Sequence, residues 1–215
     1  ESRAVAVGGQ VLTIKTPKDT YEEIFLPLHG KHQASNAAAA LVAVEAFFGD
    51  QELDYEAVLA GFANVQSPGR CEVLHRDPTI IIDAAHNPHG AKAITETIQN
   101  EFTFDEVIGV VAAMGDKDVQ GALVEFEKVL DSIIVTKNSS SRSMPVAEIE
   151  KIATSIFGAD RVFAADNLEE AIEKAIKDSV RPLSEDTLGI LITGSVVTVG
   201  EARTIVRKRF AKEGA

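Results

Sequence analysis

The chain has 215 residues, 45% hydrophobic and 25% charged, and carries 33 acidic against 21 basic residues for a net charge of −12. This supports a globular core built on Ile, Val, Leu and Ala, because aromatic residues make up only 6% and Trp is absent. The acidic balance argues against nucleic-acid binding, and no apolar stretch reaches the ~20 residues needed to cross a bilayer. The single Cys71 excludes an internal disulfide and any multi-cysteine metal site.

Glu1-Ser2-Arg3 does not form a signal peptide, and Glu1 is not a natural start, so the chain is expected to begin inside a longer, cytoplasmic protein. Short strands are predicted at Val5-Ala6-Val7, Val11 to Ile14 and Ile24-Phe25-Leu26, punctuated by Gly8-Gly9 and by Pro17-Lys18-Asp19. A helix follows over Ala37 to Phe48 with Gly49 as its stop, and a second over Tyr55 to Phe62. After Ser67-Pro68-Gly69 the rhythm changes. Apolar runs at 80–82, 107–111, 133–135, 161–163 and 189–192 alternate with helices near 88–101, 119–130, 145–157, 167–179 and 196–210. Continuous apolar strands are covered on both faces, and strand–helix alternation gives a mostly parallel sheet. The expected fold is therefore α/β: residues 67–215 form a doubly wound domain, preceded by a small α+β unit over residues 1–66.

In such sheets ligands bind at the carboxyl ends of strands. The strand Thr79–Ile82 runs into Asp83-Ala84-Ala85-His86-Asn87-Pro88, which places a carboxylate and an imidazole there. Asn87 as a helix cap and Pro88 in the first turn have a purely structural explanation. Asp83 and His86 do not, because Ser would serve the turn as well. Asp83 is read as an acceptor for a ribose diol or an amine. Arg70, on the Pro68-Gly69 turn, can meet phosphates bidentately, although a surface arginine in a linker is the plainer reading. Asn36 fits the start of a helix, and Ser195, after the last apolar strand, fits a cap whose neighbouring N–H groups can face an anion. As a hydrolase nucleophile Ser195 lacks the Gly-x-Ser-x-Gly context. Lys117 and Asp118 fit a helix cap, Cys71 a small core residue, and the serine-rich stretch 139–143 a loop that could close over a ligand. His29 and His32 make no metal site without a third ligand.

The Asp-x-x-His-Asn-Pro turn, with Pro68-Gly69-Arg70 placed so that Arg70 stands thirteen residues before Asp83, resembles the folylpolyglutamate synthetase/dihydrofolate synthetase family of the wider Mur ligase group. His32-Gln33-Ala34-Ser35-Asn36-Ala37 before an Ala-rich helix, Gly115-Asp116-Lys117-Asp118 and Thr193-Gly194-Ser195-Val196-Val197 extend the resemblance over nearly the whole chain. The resemblance implies a ligase in which ATP, with Mg²⁺, phosphorylates a carboxylate of folate or dihydropteroate, and L-glutamate then attacks the acyl phosphate. It also implies ATP contacts at Asn36, Arg70 and Asp83, a glutamate-binding end at His86 and Ser195, and catalytic roles for His86 and Arg70. The family has a proline before the arginine where Ser141 stands here, so Arg142 receives no role.

The phosphate loop that such ligases need, Gly-x-x-x-x-Gly-Lys-Ser/Thr, is absent: Gly30-Lys31 is followed by His32, and Phe25 replaces the earlier glycine. Metal ligands and the folate site are accordingly expected in a preceding domain. The whole enzyme is expected to be a monomer, and this chain alone inactive and prone to self-association. A peptidoglycan-precursor ligase, a phospho-receiver-like domain built on Asp83 and Lys137, and a non-catalytic nucleotide-binding module remain as alternatives.

Overall fold

In a computed structural model, residues 2–179 and 187–211 are described, and Glu1 lies outside them. The chain divides into two compact units, Glu1–Pro68 and Gly69–Ala215, a boundary two residues later than expected.

The first unit begins with three antiparallel strands in the order β1 (Ser2–Ala6), β2 (Gly9–Lys15) and β3 (Thr20–Leu26). Gly8, at φ 80°, makes the first turn in a conformation that costs glycine little. Alternating side chains bury Leu12, Ile14, Ile24 and Leu26 on one face, against Ala34, Ala37 and Leu41 of helix α1 (Lys31–Phe48). Helix α1 starts six residues before the expected Ala37. Gly30, at φ 99°, turns the chain into it, and the buried Gln10 side chain fixes that entry by donating Nε2 to the carbonyls of Leu28 and Gly30. Helix α2 (Tyr55–Ala63) is capped by Asp54, whose Oδ1 accepts from the Ala57 N–H at 2.8 Å.

The second unit holds a six-stranded sheet in the order β4-β5-β9-β6-β7-β8. Strand β4 (Glu72–Arg76) runs antiparallel to β5 (Thr79–Asp83). Sequence periodicity misses β4 because Glu72, His75 and Arg76 interrupt its apolar pattern, as suits a half-buried edge strand. The other strands are parallel: β6 (Glu106–Val111), β7 (Ser132–Val135), β8 (Val162–Ala164) and β9 (Leu188–Thr193). Helix α3 (Pro88–Glu101) follows β5, α4 (Val119–Phe126) follows β6 and α5 (Val146–Phe157) follows β7. A 3₁₀ turn over Ala159–Arg161 leads into β8, then α6 (Leu168–Ser179) leads to β9, and α7 (Val196–Ala211) ends the described chain. Helix α4 stops four residues short of the expected 130, so that Leu130 can pack into the core from the turn.

Successive strand residues point to opposite sheet faces, and both faces are covered. Ile81, Val107, Val111, Ile133 and Leu191 pack against α3, α4 and α5, while Ile80, Ile82, Ile108, Val110, Ile190 and Ile192 pack against α6 and α7. The expected doubly wound, mostly parallel α/β architecture is therefore present. Neighbouring strands β5 and β9 send their chains to helices on opposite faces, α3 and α7. In open sheets of this kind ligands bind where neighbouring connections part, a rule that directs attention to the carboxyl ends of these two strands.

Candidate active site at the carboxyl ends of β5 and β9

Asp83 ends β5 at this edge, paired in register with Thr193 at the end of β9. The residue is 8% exposed, and both carboxylate oxygens are engaged: Oδ2 accepts from the Cys71 N–H and Oδ1 from the Ala85 N–H, each at 2.8 Å. Burial pushes this carboxyl above its ordinary range, against the pull of those two N–H donors and of nearby Arg70 and His86. Asp83 thus ties two backbone segments together, and only its remaining lone pairs could meet a ligand. Sealed in this way it is not presented for phosphorylation, and Lys137 lies exposed beyond β7, so the receiver-like alternative loses its basis.

His86 is half-buried on the same turn, with Nδ1 2.9 Å from the Ala84 carbonyl oxygen. A carbonyl only accepts, so Nδ1 carries the proton and donates, which leaves Nε2 for a ligand. Asn87 caps α3 as expected, its Oδ1 accepting from the Gly90 N–H at 2.8 Å, with Pro88 as the first helical residue. Arg70 is exposed, and among the described residues its guanidinium has no hydrogen-bond or ion-pair partner. Cys71 beside it is a buried core residue whose thiol is pushed well up by burial, which makes it a poor nucleophile.

Ser195 caps α7, its Oγ accepting from the Thr198 N–H at 3.0 Å. The residue is buried, and the same oxygen lies 3.1 Å from Asn138 Nδ2 and 2.7 Å from Thr198 Oγ1. Thr198 Oγ1 donates to the Ala112 carbonyl at 2.7 Å, so the Ser195 hydroxyl proton is directed at Thr198. This buried network joins the ends of β6, β7 and β9. Gly194 between the strand and the cap sits at φ 113°, and a Cβ there would come within 2.6 Å of the Ala112 carbonyl oxygen, so only glycine fits. The sequence signals did not single out Asn138, Thr198 or Glu72. Asn138 does lie just past an apolar strand, where the switch-point rule directs attention, and Glu72 stands two residues after Arg70.

Asp118 caps α4 by accepting from the Gly121 N–H at 2.9 Å, which is its structural reading. Arg142 pairs with Asp116 at 2.6 Å, and the Gly115 N–H donates to the Arg142 carbonyl. The serine-rich loop is therefore stitched to the segment after β6 rather than loose. Asn36 does not start a helix: it lies on the second turn of α1, exposed, donating Nδ2 to Gln33 Oε1 at 3.1 Å. It belongs to the first unit, whereas Arg70, Asp83, His86 and Ser195 all belong to the second. Among the described residues no group of three or more His, Cys, Asp or Glu could hold a metal ion, and no helix is long and apolar enough to cross a membrane.

The family model for the Mur ligase glutamate ligase domain matches residues 69–196. A dihydrofolate synthase/folylpolyglutamate synthase from Mycobacterium tuberculosis is 49% identical over 214 residues, covering 94% of this chain and 44% of the relative. One of the same name from Escherichia coli is 30% identical, covering 88% of this chain and 41% of the relative. Among solved structures, M. tuberculosis folylpolyglutamate synthase complexed with ADP superposes with a TM-score of 0.91 at 50% identity, covering 95% of this chain and 46% of that one. The chain thus spans less than half the length of the curated relatives it matches. With the glutamate ligase model covering most of the second unit and the parallel sheet in place beneath its motifs, this chain belongs to the Mur ligase family.

Proposed function

We propose that this chain is the carboxyl-terminal, glutamate-ligase part of a cytoplasmic, ATP-dependent enzyme that joins L-glutamate to folates, to dihydropteroate, or to both. The observation that carries this reading is the presence at one switch point of Arg70, whose guanidinium has no hydrogen-bond or ion-pair partner among the described residues, and a tautomer-fixed His86. There the guanidinium can neutralise charge developing on a phosphoryl group, and Nε2 of His86 can accept a proton from the incoming amine. Similarity to proteins named for folate chemistry, one of them complexed with ADP, weighs against a peptidoglycan precursor as substrate.

In the proposed reaction ATP converts the acceptor carboxyl into an acyl phosphate. The amine of glutamate then attacks that carbon, and phosphate leaves with the C–O bond electrons. Arg70 faces the phosphates. Asp83 shapes the turn beneath the nucleotide and offers it a remaining lone pair. His86 and the α7 cap at Ser195 form the glutamate end, with the capped turn supplying N–H groups toward a carboxylate. Among the described residues no group of three or more His, Cys, Asp or Glu is placed to hold Mg²⁺.

The test is steady-state ADP release with folate and glutamate. The full-length protein should turn over, Arg70→Ala should lower kcat about 100-fold, and the isolated 215-residue chain should show no turnover. ADP release by the isolated chain at the full-length rate would sink the division of labour. Full-length protein inert toward both folates and dihydropteroate would sink the substrate assignment.

A further inference from the structure

The turn that carries Arg70 is held more tightly than a linker requires. The Gly69 N–H donates to Glu72 Oε2 at 2.8 Å, the Gly69 carbonyl accepts from the Ala84 N–H at 2.9 Å, and the Cys71 N–H donates to Asp83. Cys71 sits at φ 45°, a left-handed conformation that a non-glycine residue keeps only when its surroundings over-determine it. Gly69 sits at φ 75°, with Val199 Cγ1 of α7 only 2.6 Å from where a Cβ would stand.

Glu72 is itself anchored. Its Oε1 accepts from Arg203 Nε at 3.0 Å and lies 3.4 Å from Arg207 Nη2, both on α7. The carboxylate is largely covered, its side chain 20% exposed, so it bridges a main-chain N–H and a guanidinium in charge-assisted bonds that are stronger than neutral ones. Helix α7 thus grows from the Ser195 cap at the glutamate end and, two turns later, braces the turn that presents Arg70.

We propose that Glu72 is a positioning residue: by linking Arg203 of α7 to the Gly69 amide, it sets where the Arg70 guanidinium stands relative to the Asp83–His86 turn. The inference rests on the ligase reading above. It adds that the phosphate-facing and glutamate-facing ends share one rigid support, so that the register of α7 determines the spacing between them. Glu72 touches no substrate in this scheme and acts only through Arg70.

The experiment is a double-mutant cycle in the full-length protein, reading the Kd for a non-hydrolysable ATP analogue and the kcat of ADP release, with melting temperatures alongside. Glu72→Ala should lose about tenfold in kcat, since misplacing a catalytic charge by ~1 Å costs up to ~100-fold. The same substitution in an Arg70→Ala background should cost almost nothing further, because coupled residues are not additive. Glu72→Gln keeps one acceptor oxygen and should recover part of the loss. If the two losses multiply, or if kcat tracks melting temperature across all variants, the proposal is overturned and Glu72 is only structural. Should Glu72→Ala fail to fold, Glu72→Gln with Arg70→Ala completes the same cycle. Wild-type protein that binds no nucleotide would overturn the ligase reading and this inference with it, an outcome distinct from binding with multiplicative losses.

Discussion

The two units cover their apolar surface in different ways. In Gly69–Ala215 helices lie on both faces of the sheet, and strands such as Ile80-Ile81-Ile82 are apolar without interruption because each neighbour along the chain is buried on one side or the other. In Glu1–Pro68 the meander buries alternate residues on one face, and α1 and α2 leave an open groove of ≈ 650 Å³ lined by Leu41, Val44, Phe48, Leu53, Val58 and Phe62. Phe47 beside it is 85% exposed. Apolar content is therefore a poor guide to burial by itself: similar residues are sealed in one unit and open in the other. What differs is whether the order of elements brings a second layer onto the helix or sheet.

The largest effect is expected from a truncation in the sealed unit. Ile82→Ala removes a fully buried side chain between β5 and the helices α6 and α7, and should destabilise Gly69–Ala215 by about 2–5 kcal/mol in urea unfolding. A cost under about 1 kcal/mol would mean that this face is less closely packed than the layered arrangement requires.

A smaller effect is expected at the polar floor of the site. Ser195→Ala leaves Asn138 Nδ2 short of one acceptor and the Thr198 N–H uncapped, and should cost about 1–3 kcal/mol. Native-state hydrogen exchange should localise the loss to the first turn of α7. Uniform acceleration across the unit would contradict that.

The smallest effect belongs to the open unit. Phe47→Ser should change stability by no more than about 0.5 kcal/mol while reducing binding of a hydrophobic dye such as ANS, because the ring is already in solvent. Strong destabilisation would show that Phe47 is covered in solution, and the contrast between the units would weaken.

Most of the second unit was legible from periodicity because parallel strands buried on both faces leave an unbroken apolar signature, as at 107–111 and 189–192. Helix starts were legible where caps are local: Asn87 with Pro88, and Asp118, act on N–H groups three residues away. Strand β4 was not, since an edge strand needs only half its residues apolar, and its pairing with β5 is what makes it a strand. The early start of α1 was hidden for a similar reason. Gln10, twenty residues before Gly30, holds the entry loop, and no window around residue 30 contains that information.

The same division runs through the site. By itself the sequence determined the residue types at the carboxyl ends of β5 and β9, the α/β class and the Mur ligase resemblance, because strand ends and caps are set by neighbours along the chain. Only the tertiary structure decided what each side chain is free to do. Both Asp83 oxygens accept from the Cys71 and Ala85 amides, which leaves only their remaining lone pairs for a ligand, and the Ser195 hydroxyl is bonded to Asn138 and Thr198. Arg70, read from the sequence as a phosphate contact with a linker arginine as the plainer alternative, has no hydrogen-bond or ion-pair partner among the described residues and stands on a turn braced by Glu72 and α7. Those partners lie between 2 and more than 100 residues away, and a buried polar group is satisfied by whatever the fold brings beside it, which no local pattern records.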